Sequence, residues 1–168
     1  VQTGVGRTGK HWFGISNWGV TPDLITMAKG LANGLPMGAV IANTKVVDGL
    51  VKQQINTFGG NPVSSATACA VLETIEEEKL MANALEVGNY LMDGLRDLQK
   101  QFPDVIGDVS GKGLMVGMEL ADKNKTQLTK ECAAIVEMAK DEGVVLGKGG
   151  LWGNTIRIKP PLTINKQN

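Results

Sequence analysis

Pro22-Asp23-Leu24-Ile25-Thr26-Met27-Ala28-Lys29-Gly30 is the stretch on which the fold and chemistry of this chain turn. Leu24–Met27 is a short, largely apolar run between a proline and a glycine, the pattern of a buried strand. Lys29 follows just past its carboxyl end, the edge where open α/β sheets bind ligands. Shielding from water there would disfavour the ammonium and leave an amine able to form a Schiff base with a carbonyl. On these residues alone the simpler reading is a solvated lysine at a strand–loop junction, because Lys-Gly after an apolar run is common.

Upstream, Gly4-Val5-Gly6-Arg7-Thr8-Gly9 matches G-x-G-x-x-G. A nucleotide-binding turn of that form needs a strand before it, a helix after it and an acid about 20 residues on. Residues 10–19 instead hold three aromatics and two glycines without a helical stripe, and Asp23 comes too early after a proline. The match reads as coincidence. Downstream, 38–43 predicts a second buried strand, and Thr44 is placed to cap a short helix over 45–52. Asn56-Thr57-Phe58-Gly59-Gly60-Asn61-Pro62 is a loop whose paired glycines suit close backbone approach.

Helices are predicted over 63–78 and 80–102. In the second, Leu80, Ala84, Val87, Leu91, Leu95, Leu98 and Phe102 recur at three- and four-residue steps as one apolar stripe. Glu76, Glu77 and Glu78 read as a solvated face. Strands over 105–110 and 114–120 flank Gly111-Lys112-Gly113, whose lysine lacks the longer Walker spacing. A helix over 126–142 puts Leu128, Cys132, Ile135, Val136 and Ala139 on one face, and Gly143 is placed to end it. Short strands over 144–146 and 155–159 enclose a flexible Gly147-Lys148-Gly149-Gly150 loop. Strand alternation points Arg157 opposite to Ile156 and Ile158. A lone arginine there reads as a surface residue.

The 168 residues carry 17 basic and 17 acidic side chains, so no net field recruits nucleic acid or an anionic membrane. No apolar run approaches the ~20 residues of a membrane span. His11 is the single histidine, which argues against a histidine-rich metal site. Cys69 and Cys132 lie in helix-like segments without metal-ligand spacing and read as small buried hydrophobes in a reducing compartment.

Taken together, the Val1–Gly9 region, the Lys29 stretch, Asn33-Gly34-Leu35-Pro36-Met37-Gly38-Ala39, the Thr57 loop, Gly111-Lys112-Gly113-Leu114-Met115-Val116-Gly117-Met118-Glu119-Leu120 and Ile156-Arg157-Ile158-Lys159-Pro160-Pro161-Leu162 resemble class III pyridoxal-phosphate aminotransferases. They stand in the family's order and spacing over essentially the whole chain. Within the family the likeness is to the alanine-glyoxylate aminotransferase 2 branch. The resemblance implies an α/β fold: residues 1–79 as the tail of the large cofactor domain of a fold-type-I transferase, and 80–168 as a small α+β carboxyl-terminal domain.

It further implies pyridoxal 5'-phosphate as cofactor, with Lys29 as the lysine that holds it and moves protons. Gln2 would lie near the ring's 3-hydroxyl, though a polar strand-end residue bonded to backbone would look the same. Thr57 would reach the cofactor phosphate of the neighbouring subunit in a homodimer. Arg157 would hold the substrate carboxylate, a task its bidentate fork suits better than a lysine. Substrates would be an amino acid, such as alanine, and an oxo acid, such as glyoxylate. The branch suggests a mitochondrial location. Because the chain opens inside a family motif without a methionine, the resemblance implies a carboxyl-terminal fragment. It would lack the acidic partner of the pyridine nitrogen and most of the phosphate cradle, and would be inactive alone. A phospho-lyase, an aminomutase and a non-catalytic dimerisation fragment remain as alternatives.

Overall fold

The computed structural model describes residues 2–168; Val1, the first residue of the upstream motif, lies outside them. Two sheets organise the chain. The first is a two-stranded antiparallel ladder of β1 (Leu24–Met27) and β2 (Ala39–Ala42), with Leu24 opposite Ala42 and Met27 opposite Ala39. The second has the order β3-β4-β6-β5, from β3 (Ile106–Lys112), β4 (Met115–Leu120), β5 (Gly147–Gly149) and β6 (Thr155–Ile158), every neighbour antiparallel. Helices α1 (Thr44–Asp48), α2 (Pro62–Glu77), α3 (Leu80–Gln101) and α4 (Thr129–Asp141) complete it.

The core follows from the side-chain periods. Val116, Met118 and Leu120 alternate along β4 and are buried with Ile106, Val109, Ile156, Met92 of α3 and Cys132 of α4. Leu91, Leu95 and Leu98 pack on them from α3, as do Leu128, Ile135 and Val136 beside and along α4. The predicted stripe of α3 is therefore its packing face, except that Phe102 at its end is exposed. Lys79, in the left-handed region at φ 53°, turns the chain between α2 and α3.

Several expectations need correction. Leu24–Met27 is a strand, but its residues alternate between exposed and half-buried because β2 is its only sheet neighbour among the described residues. The helix after β2 is capped by Asn43, not Thr44: the Asn43 side chain accepts from the Val46 N–H and also donates to Asp23 Oδ1. That helix ends at Asp48, short of the predicted position 52. Residues 147–149 are strand β5 rather than a loop, since pairing with β6 supplies the order their glycine-rich sequence does not. Residues 144–146, predicted to be a strand, are not one. Cys132 is buried as expected, whereas Cys69 is exposed on α2. The G-x-G-x-x-G segment forms successive turns followed by a 3-10 helix at Gly14–Trp18, not a strand–turn–helix unit.

Candidate active site

Lys29 opens a 3-10 turn, Lys29–Ala32, directly after β1, with its backbone in the left-handed region at φ 61°. Two residues further on the turn becomes anchored. Leu31 and Ala32 are buried with Ala68 of α2, and Val5, Met27, Met37 and Ala39 pack around them. The lysine thus projects from a fixed turn, but it is exposed rather than shielded, contrary to the expectation for a buried amine.

A cavity of about 590 Å³ opens beside it, with Gln2, Arg7, Lys29 and Lys159 among its lining residues. None of the described lining residues is an aspartate or glutamate. Burial first, then the positive charges of Arg7, Lys29 and Arg157, hold the Lys159 ammonium below the usual lysine value. A pocket with three cationic side chains and no lining acid favours an anionic occupant.

Arg157 lies on β6, exposed between buried Ile156 and half-buried Ile158, so the alternation read from sequence holds. Arg157 lines a second cavity of about 750 Å³ with Tyr90 and Leu146. Lys159 lines both cavities. The strand that carries Arg157, with Lys159 just past its end, is set by Asn154, 1% exposed, whose Nδ2 donates to Leu120 O at 3.0 Å and Glu119 Oε1 at 3.1 Å. Leu120 N–H donates back to Asn154 O at 2.8 Å.

The structure therefore brings Gln2 and Lys29 to one cavity and Arg157 to the next. Thr57 stands apart, in an exposed turn within the wholly exposed run 51–60, and lines neither cavity. Arg7, Lys159 and Asn154 were not singled out from sequence. For Lys159 a signal existed: it stands two residues after Arg157, at the end of the strand predicted over 155–159, although β6 itself ends at Ile158.

Comparison with known proteins agrees with this arrangement of elements. The family described as aminotransferase class-III matches residues 1–168. An alanine–glyoxylate aminotransferase 2 homolog 2, mitochondrial, of Arabidopsis thaliana is 46% identical over 171 residues, covering 100% of this chain and 35% of that protein. An alanine/serine racemase of Pyrococcus horikoshii is 43% identical over 99% of this chain and 35% of its own length. Among solved structures, a phospholyase from Arthrobacter in complex with phosphoethanolamine superposes with a TM-score of 0.94 at 34% identity, over 99% of this chain and 40% of that one. The chain thus spans about a third of the length of these curated relatives, as part of a fold-type-I transferase. With the family's match running from the first residue to the last, the chain belongs to the class III aminotransferases.

Proposed function

We propose that the protein carrying this chain transfers an amino group between an amino acid and an oxo acid, with pyridoxal phosphate as cofactor and Lys29 as its catalytic residue. The observation that carries this is Lys29 at the head of an anchored turn, beside a cavity whose described lining holds cations and no acid. Such a lining fits a phosphorylated, acidic cofactor. When bound, the cofactor supplies the carbonyl that accepts the amino group and the electron sink for a carbanion at Cα. Lys29 would hold it, and its Nζ would serve as the base that takes the substrate's Cα proton and as the acid that delivers it onward, away from Cα. Gln2 is positioned for a polar contact with the cofactor ring. Arg157 orients the substrate by gripping its carboxylate with two parallel N–H donors.

Residues 1–79 are the contribution to the cofactor domain and 80–168 the small domain. The two separate sheets and their separate buried clusters support that division. Thr57, exposed and away from Lys29 in its own chain, suits a contact with a second copy in a homodimer. The alanine–glyoxylate name of the Arabidopsis relative supports alanine as donor, glyoxylate as acceptor and a mitochondrial location.

A second reading is favoured by two similar proteins, one named a racemase and one a phospholyase. All three reactions need a lysine that moves the Cα proton, and they diverge in where it is delivered and which group leaves. The test is a half-reaction on the intact protein with pyridoxal phosphate. Oxo acid released from alanine, lost by several orders of magnitude in Lys29→Ala, is expected. Near-normal release in that variant would end the proposal. Loss of optical activity without oxo acid, or phosphate released from phosphoethanolamine, would move it to the second reading.

A further inference from the structure

We propose that Arg7 is a positioning residue for the substrate carboxylate, fixing where the end of β6, and with it the Arg157 fork, stands relative to Lys29. This rests on the roles proposed above for Lys29 and Arg157. The chain of contacts runs through residues 5–7. On one side Val5 packs into the cluster of Leu31, Ala32 and Ala68 that anchors the Lys29 turn. On the other, Arg7 Nη1 donates to Pro160 O at 2.5 Å and to Leu114 O at 3.2 Å, while Arg7 O accepts from the Leu114 N–H at 3.1 Å. Pro160 is three residues past Arg157 and one past Lys159. A two-residue step therefore joins the lysine's support to the arginine's strand.

The guanidinium serves this joint rather than an ion pair. It takes part in no salt bridge among the described residues, and burial lowers its pKa. The charged groups that act on the cavity beside it are Lys159, Lys29 and Arg157, all cations. Its donors are used on carbonyl oxygens of two segments more than 100 residues away in sequence. The approach is close from the other side too. Gly113 adopts φ 55°, and a Cβ there would stand 2.6 Å from Arg7 O, a distance no side chain tolerates. Nη1 alone bridges the two carbonyls, and the planar guanidinium fixes the direction of its N–H donors, which a freely rotating ammonium does not. Misplacing a substrate-gripping group by about an ångström is enough to change turnover strongly.

The test uses the intact, cofactor-loaded protein with Arg7→Met, Arg157→Ala and the double variant. At saturating pyridoxal phosphate, Arg7→Met should raise the ratio of KM for a carboxylate-bearing amino donor to KM for a carboxyl-free amine by about tenfold. In the Arg157→Ala background it should add less than about twofold, because it acts through Arg157. Without substrate, hydrogen exchange in a peptide spanning 155–164 should rise while 24–32 stays as in the parent. Arg7→Lys, which keeps the charge and loses the planar group, should fall between the two and stands in should Arg7→Met not fold. Equal KM effects on both amines, additivity with Arg157→Ala, or unchanged exchange at 155–164 would overturn the proposal. Should Arg157→Ala itself leave KM untouched, the carboxylate reading of Arg157 fails and this inference falls with it. A normal Arg157→Ala effect beside a silent Arg7→Met sinks this inference alone.

Discussion

The two-stranded ladder that precedes Lys29 and the four-stranded sheet that carries Arg157 differ in how they are closed. In the ladder Leu24 is 50% exposed and Val40 64%; in the sheet Val116 is 2% exposed, Leu120 0% and Ile156 1%. One face of β4 is covered by two helices, whereas the ladder lends only Met27 and Ala39 to a cluster of three buried residues. Val51, Ile55 and Phe58, each more than 80% exposed, lie in the run between the ladder and α2. Apolar surface that extensive marks a region made for contact with further protein. Cohesion therefore resides in the second region, and the amine proposed to react, that of Lys29, in the first.

That contrast can be broken by mutation. Leu120→Ala removes side-chain volume from the closed sheet and should cost about 2–5 kcal/mol of unfolding free energy, read from denaturant titration of the intact protein. Val40→Ala in the ladder should stay within about 0.5 kcal/mol, as an exposed site does. Similar losses at both positions would mean the ladder is as well packed as the sheet.

The functional side of the contrast is sharpened by Arg157→Lys. Weakening of carboxylate-bearing substrates by roughly 1.5–3 kcal/mol, with little change for carboxyl-free amines, is expected when a bidentate charge-assisted bond is lost but the charge stays. Equal changes in kcat/KM for both substrate classes would remove Arg157 from the site.

Asn43→Ala is a smaller probe of the first region. Losing the cap on the Val46 N–H should cost about 1 kcal/mol, and Asn43→Ser should restore most of it. A silent Asn43→Ala would show that α1 does not contribute to the ladder's stability.

The smallest effect is expected at the rim of the second region. The Asp122 carboxylate is held below its ordinary value of 3.8, first by the Thr126 backbone N–H, with the Asn124 N–H adding to it. The unfolded chain therefore takes up this proton more readily than the folded one. The stabilisation is present above pH 3.8 and is lost as pH falls through the lower folded value. Asp122→Asn should flatten that part of the acid-unfolding profile, and an unchanged profile would show that the turn does not sense the charge.

What was legible in the sequence follows the range of the forces involved. The stripe of α3 and the alternation around Arg157 were readable because a helix or strand repeats its own burial pattern. Gly147-Lys148-Gly149 was not, because nothing local favours extension there and the order comes from β6. Asn43, which caps α1 in place of its neighbour Thr44, is also tied by its amide to Asp23, twenty residues away, a contact that no local pattern announces. The exposure of Lys29 escaped the sequence argument for a related reason: shielding depends on what covers a strand. Arg7 was visible only as part of a glycine-rich motif, since its partners are backbone carbonyls of Leu114 and Pro160, which no side-chain pattern encodes.

Whether Lys29 is the cofactor lysine is decided by loading the intact protein with pyridoxal phosphate, reducing it with borohydride and mapping the modified peptide by mass spectrometry. The expected result is one cofactor mass fixed on Lys29. A cofactor mass fixed on Lys159 or any other lysine, or none fixed at all, would contradict the assignment of this chain's chemistry to Lys29.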